Sequence, residues 1–216
     1  MKKIHIIGTG GLSKELISYI DNEIDSRYQI LGAWSNEPFN NKKYKKYHKG
    51  NIEDFKRRYL QDEMVIIAIA NNVVRKRIVE SDLKNIKINY LTYIHPTSLV
   101  SKEASIGEGC ILAPGCIVCA DAKIDNFNFF NTHCTIGHDV SIGTYNCFFP
   151  KVEICGSSKV STNTVFGINS IVLPEVEIHA NSKIDAMSVI RRSTKEQGLY
   201  SGNPARLIKS FEKNDT

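Results

Sequence analysis

"IDNFNFFNTHCTIGHDVSI", residues 124–142, decides the fold. Its apolar residues Ile124, Phe130, Ile136 and Ile142 recur every six positions, a period that fits neither an α-helix at about 3.6 nor a plain strand at 2. Stepping outward by six gives Val100, Ile106, Leu112, Val118, then on past Ile142 to Phe148, Ile154, Val160, Phe166, Val172, Ile178, Ile184 and Ile190. Every position in this run is a branched aliphatic, leucine or phenylalanine, which ordinary composition does not produce by chance. Four places after each comes mostly a small residue, as at Ala104, Cys110, Cys116, Ala122, Cys134, Ser158, Thr164, Ser170, Ser182 and Ser188. The pattern predicts a parallel β-helix in which each hexapeptide forms one face of a triangular prism and about 18 residues close a coil.

The repeat gives each residue an address. Residues 18 apart stack in one column, which puts His138 between Ala120 and Gly156. The imidazole is expected near a corner, pointing outward, beside a residue with no side chain. That leaves room for a ligand and a peptide N–H for a developing oxyanion. Asp139 follows as an orienting carboxylate, and Asn131 is expected within reach of the same corner. A surface histidine and a zinc ligand are the rival readings. His133 and His138 have the H-x4-H spacing used with a third histidine in β-helical carbonic anhydrases of the gamma class, but the upstream His95 is off register for that role. His179 reads as surface.

The first half has a different grammar. "IHII" (4–7), "YQILGAW" (28–34), "MVIIAIA" (64–70) and "INYLTYI" (88–94) read as strands. Leu12, Leu16 and Ile20 form a helical stripe after the glycine turn, and "NNVVRKRIVESDL" reads as a second helix. The alternation predicts a small Rossmann-like α/β domain. Expected boundaries are 1–95 for this domain, 96–200 for the β-helix and 201–216 for a C-terminal tail.

Composition narrows the function class. The formal charge of +5 owes much to "NKKYKKYHKG" (41–50), read as a solvated basic loop or as attraction for an anionic ligand such as a nucleotide. No nucleic-acid-binding motif is present. The opening apolar run is too short for a secretory segment or a membrane span, so a cytoplasmic protein without membrane insertion is expected. All six cysteines lie in the C-terminal half; the lone C-x-x-C at Cys116 and Cys119 lacks the second pair of a zinc ribbon. Buried thiols in a reducing compartment are the expectation.

From "IIGTGG" through "AIANN", "IHPTSLVS", "NTHCTIGHD" and "ICG" to "YSGNPARLIK", the chain resembles the PglD/NeuD-type acetyltransferases of bacterial surface-glycan and polysaccharide biosynthesis. That family comprises nucleotide-amino-sugar N-acetyltransferases and sialic acid O-acetyltransferases. The resemblance implies a Rossmann-like domain joined to a left-handed β-helix, a homotrimer, and acetyl-CoA as co-substrate with no metal required. The left hand comes from the resemblance; the usual crossover rule would favour the opposite. It also implies His138 as general base, Asp139 raising its basicity, and Asn131 in the same site. Gly156, Cys147, Ile168 and Ala186 match acetyl-CoA contacts. Gly10, Gly11 and Leu12 match the turn that holds the nucleotide-sugar, and Ala70 with Asn71 a second contact loop. Ser35 and Asn36 stand where the family has paired aspartates at the nucleotide.

Two further departures are Gly137, often acidic in the family, and Cys147, often histidine. The expected activity is N-acetylation of a UDP-4-amino-sugar type of acceptor. Sialic acid-type O-acetylation, a non-catalytic trimeric scaffold, and a zinc-dependent gamma-type carbonic anhydrase remain as alternatives.

Overall fold

The computed structural model describes residues 1–21 and 26–212. The chain divides into two compact units, Met1–Pro96 and Thr97–Thr216.

In the first unit a parallel four-stranded sheet is built from β1 (Lys2–Ile7), β2 (Tyr28–Trp34), β3 (His48–Gly50) and β4 (Met64–Ile67), in the spatial order β3-β2-β1-β4. Ile4, Ile6 and Ile7 on β1 and Val65, Ile66 and Ile67 on β4 are completely buried, as the continuous apolar runs of a two-sided parallel sheet require. Helix α1 (Gly11–Asp21) buries Leu12, Leu16, Ile17 and Ile20, the expected stripe. Helix α2 (Ile52–Arg58), which sequence periodicity did not single out, is closed by a reciprocal capping box between Asn51 and Asp54 and buries only Phe55.

Helix α3 (Asn72–Arg77) runs on into a wider turn over Ile78–Asp82. Two expectations need correction. The basic segment read as a loop forms a 3-10 helix over Lys42–Tyr47, started by the Asn41 side chain. The stretch 88–94 is not one strand: Tyr90 makes a single bridge to Val65, and strand geometry covers only Tyr93–Ile94.

The second unit is a left-handed parallel β-helix. The rungs from Leu99 to Ile190 are two-residue strands paired to residues 18 apart, as in Lys123↔Ser141, Phe129↔Cys147 and Thr135↔Glu153. Of the hydrophobic column predicted from Val100 to Ile190, all members from Leu112 onward are buried, while Val100 and Ile106 at the open end are half-buried. Phe130, Phe148 and Phe166 stack face to face inside the prism at 4.6 and 4.8 Å between ring centroids. That distance is the spacing of hydrogen-bonded strands, so ring packing and backbone pairing share one period.

The corners carry a second periodic feature. From Asp121 to Met187 each sixth residue is a non-glycine with φ between 56° and 63°. Left-handed backbone costs an L-residue roughly 1–2 kcal/mol. Here it is held by ladder bonds on both sides, for example Lys151 N–H to Thr132 O at 2.9 Å and Asn169 N–H to Pro150 O at 3.0 Å.

Where the small-residue column is interrupted, the replacements are satisfied internally. Asn128 Nδ2 donates to Asp125 O and Gly143 O, and its Oδ1 accepts from Asn146 N–H at 2.8 Å. Asn146 Oδ1 accepts in turn from Thr164 N–H at 2.7 Å. The segment set apart as a tail opens with structure of its own. Strand Gly198–Gly202 pairs antiparallel with Ala205–Ser210 and extends one face of the prism, and residues 213–216 lie outside the described residues.

Candidate active site

Two groups of side chains stand out, one in each unit. In the β-helix, His138 lies two residues past Ile136, whose column continues through Ile154, Val172 and Ile190. Its backbone is fixed from both neighbouring coils: Ser157 N–H donates to His138 O at 2.9 Å, and Asp139 N–H donates to Ala120 O at 3.1 Å. Asp139 takes the left-handed corner conformation, φ 57°. That turn brings its carboxylate back to the ring, where His138 Nδ1 donates to Asp139 Oδ2 at 2.8 Å. With Nδ1 carrying the proton, Nε2 keeps its lone pair. Both side chains are largely exposed.

The free edge of the ring lies over Gly156. A Cβ built there would sit 2.6 Å from His138 Nε2 and 2.7 Å from Cε1. Glycine at 156 is therefore what lets the imidazole lie against the next coil's backbone. Gly137 plays a similar part, since a Cβ there would lie 2.7 Å from Gly156 N. Among the described residues the Gly156 N–H donates to no backbone acceptor.

The remaining β-helix candidates are not brought to this corner. Asn131 follows Phe130, on a different face and a different edge of the prism. Its Oδ1 accepts from Thr132 N–H at 2.7 Å. Ile168 and Ala186 continue that second edge, after Phe166 and Ile184. Ile168 is exposed, and the Ala186 N–H is occupied by Asp185 Oδ1 at 2.9 Å. Cys147 lies on the adjoining face and is only 2% exposed. Hexapeptide spacing gave these residues the right rung, but the expectation that Asn131 reaches His138's corner fails because one step of six turns the chain onto the next face.

All six cysteines are thiols, with Cys119 and Cys155 half-buried and the rest buried. Cys116 and Cys134 stack in one interior column, and the thiol of Cys134 is pushed up by its neighbour Cys116 and by burial. Among the described residues no group of three or more His, Cys, Asp and Glu side chains is placed to hold a metal ion. His133 follows Phe130, one edge away from His138, with its ring over Gly115; His95 is buried and packs edge-on against Tyr19 at 5.0 Å.

In the first unit the candidates gather at the C-terminal ends of β1, β2 and β4, where a doubly wound sheet reverses its strand order on either side of β1. Gly8 has φ 115°, and a Cβ there would meet Ala68 O at 3.0 Å, so the turn requires glycine. At Gly10 and Gly11 an added Cβ would meet nothing within 4 Å. Those two open the N-terminus of α1, and Leu12 behind them is buried. Ser35 is held by its backbone, its N–H donating to Gly50 O at 2.9 Å and its carbonyl accepting from His48 Nε2 at 2.9 Å, while Asn36 is exposed.

Ala70 is half-buried, and Asn71 caps α3 by accepting from Val74 N–H. Three positioning residues escaped the sequence reading. Thr9 Oγ1 donates to Glu37 O at 2.8 Å, joining the first two loops. The buried Arg75 donates to Ile69 O at 2.6 Å and Ala70 O at 2.9 Å, holding the third; Ser13 Oγ adds a bond to Ala68 O. No sequence signal marked Arg75, because its burial follows from the tertiary packing.

Comparison with known proteins gives likenesses for both units. Residues 3–81 match the profile described as the PglD N-terminal domain. The chain is 30% identical over 106 residues to a GDP-perosamine N-acetyltransferase of Escherichia coli O157:H7, covering 49% of this chain and 48% of that protein. It is 35% identical over 115 residues to a UDP-N-acetylbacillosamine N-acetyltransferase of Bacillus subtilis (strain 168), covering 52% and 51%. The chain thus spans about half the length of the curated relatives it matches. In three dimensions it is similar to PerB from Caulobacter crescentus, solved with CoA and GDP-perosamine, with a TM-score of 0.83, 22% identity, and 96% of this chain and 97% of that chain covered. Among the described residues no helix is long and apolar enough to cross a membrane.

Proposed function

We propose that this PglD-type chain is an acetyl-CoA-dependent N-acetyltransferase acting on a nucleotide-linked amino sugar. The observation that carries the proposal is the His138–Asp139 pair, 2.8 Å apart, with Nε2 turned toward the Gly156 backbone. Nε2 takes a proton from the acceptor amine as its nitrogen bonds to the thioester carbonyl carbon. Asp139 stabilises the resulting imidazolium, and the Gly156 N–H faces the carbonyl oxygen as it gains charge. The carbon–sulfur bond then breaks, and the departing thiolate recovers the proton from His138. No cysteine takes part.

The two relatives named as N-acetyltransferases support an amine over a hydroxyl acceptor. At the sheet edge, Gly10 and Gly11 leave open space over the start of an eleven-residue helix, suited to a diphosphate. Ser35 and Asn36 put neutral groups beside the nucleotide. One relative is named for a GDP-sugar and another for a UDP-sugar, so the base is tested by panel.

Ile168 and Ala186, read as acetyl-CoA contacts, and Asn131, read as part of the catalytic group, fall on a different prism edge from His138. A second copy of the chain is needed for both edges to face one donor molecule, which supports a homotrimer. We place the enzyme in the cytoplasm, in polysaccharide biosynthesis, on the family resemblance.

The test is thiol release from acetyl-CoA over a panel of GDP-, UDP- and dTDP-linked amino sugars, with free sialic acid as the hydroxyl acceptor. Release with one amino sugar, reduced by about 10²–10⁴-fold in His138→Ala with unchanged sedimentation, is the expected result. An alanine variant with near-normal turnover would falsify the assignment of the base.

A further inference from the structure

We propose that the lysine-rich 3-10 helix Lys42–Tyr47, with β3 and α2 that follow it, forms a docking face for an anionic phospholipid surface. This is independent of the acetyltransferase reading above. Residues 41–58 hold eight of the chain's 28 lysines and arginines but only two of its 23 acidic residues, Glu53 and Asp54. The rest of the chain balances to within a single charge, so the whole excess of +5 sits in one short segment.

Local geometry turns that composition into a surface. Side chains three apart eclipse in a 3-10 helix. Lys42–Tyr47 therefore presents three ridges: Lys42 with Lys45, Lys43 with Lys46, and Tyr44 with Tyr47. The tyrosine ridge faces the protein. Tyr44 lies against the fully buried Phe39, with ring centroids 5.8 Å apart, and the Tyr47 hydroxyl donates to Asp21 Oδ2 at 2.5 Å. Both lysine ridges are left on the outside, and all four lysines are exposed. β3 then adds the exposed Lys49, and α2 the exposed Arg57 and Arg58. Among the described residues Lys42, Lys43, Lys45 and Lys49 form no ion pair, while Lys46 lies 3.8 Å from Asp21 and Arg57 3.4 Å from Asp54.

The chemistry of this face selects among polyanions. A lysine ammonium is a compact, hydrated charge, drawn to a negative surface without the paired geometry that arginine brings to a single phosphate. Clusters of about four to eight such cations hold proteins at anionic headgroups. Single-stranded nucleic acid needs exposed aromatic rings on which bases stack. Here both tyrosines are half-buried and covered, with Lys43 Nζ 5.6 Å and Lys46 Nζ 4.7 Å from the respective ring centroids. Residues 41–49 contain no aliphatic or phenylalanine side chain to sink into acyl chains. Attachment is therefore at headgroup depth, reversible and screened by salt.

The experiment is co-sedimentation of the full chain with vesicles of phosphatidylcholine, alone or mixed with phosphatidylglycerol. It is run at about 0.1 M and about 1 M salt, between which the screening length falls from about 10 Å to about 3 Å. Binding to the anionic vesicles at low salt, at least about tenfold above the neutral ones and lost at high salt, is the expected result. Lys42→Glu/Lys45→Glu reverses the ridge that touches neither ring and should weaken that binding by about tenfold or more. Lys102→Gln/Lys123→Gln/Lys151→Gln/Lys183→Gln removes the same net charge from the β-helix and should change it by less than about twofold. Each of these lysines is exposed, and thermal melting checks that both variants stay folded. A wild type that ignores anionic vesicles at low salt, or two variants that lose binding equally, would overturn the proposal. Tighter binding to single-stranded or duplex DNA than to the vesicles at the same salt would also overturn it, and would make the face a nucleic-acid site.

Discussion

The two units place functional residues by opposite means. In the β-helix, position follows from residue number. His138 meets Gly156 because they are 18 apart, and the bonds from Ser157 N–H to its carbonyl and from the next residue, Asp139, to Ala120 O hold it whatever its side chain. In the N-terminal unit, three loops converge through individual side chains instead: Thr9 to the backbone at Glu37, Arg75 to Ile69 and Ala70, and His48 to Ser35. A repeat fold tolerates change at an exposed corner without losing shape. An α/β sheet edge depends on a few long-range hydrogen bonds.

That contrast can be broken at several points. The largest stability effect should come from the β-helix interior. Phe148→Ala removes the middle ring of a buried stack and should cost about 3–5 kcal/mol, measured by urea unfolding. A loss under 1 kcal/mol would mean the phenylalanine column is not a packed core.

At the corner the same unit should be insensitive in stability and sensitive in rate. Gly156→Ala puts a methyl where the imidazole lies, so His138 must rotate away, and kcat should fall by about tenfold to a hundredfold with the fold intact by circular dichroism. An unchanged kcat would show that the ring position over Gly156 is not the reactive one.

The N-terminal unit offers the matching test. Gly10 is neither left-handed nor crowded, so Gly10→Ala should change stability by less than about 1 kcal/mol. KM for the nucleotide-sugar should nevertheless rise several-fold, with KM for acetyl-CoA unchanged. Parallel rises in both constants would place the defect outside the sheet-edge site.

The smallest expected effect concerns the strained corners. Lys151, exposed at φ 61°, should gain about 0.5 kcal/mol of stability on replacement by asparagine, which adopts this backbone readily. Differential scanning calorimetry on the folded variant reads it. A destabilised variant would show that the lysine side chain contributes more than its backbone strain removes.

Much of the β-helix was legible because a six-residue period has one structural solution, and Leu112 to Ile190 all proved buried. The Rossmann-like unit was legible in its strands, with Tyr28–Trp34 matching the reading to the residue. It was less legible in its connections. Helix α2 has a single buried side chain and no stripe to detect, and the basic 41–50 stretch gave no sign that Asn41 would start a 3-10 turn. Stretch 88–94 had strand composition, yet it makes a single bridge at Tyr90 and strand geometry only at Tyr93–Ile94.

By itself the sequence determined the prism, its columns, and the pairing of His138 with Asp139 and Gly156, because burial of one residue in six dictates coil, face and neighbour. Only the tertiary structure decided that Thr9 and Arg75 tie the loops of the sheet edge. These ties depend on contacts between residues far apart in sequence, and no local period encodes them.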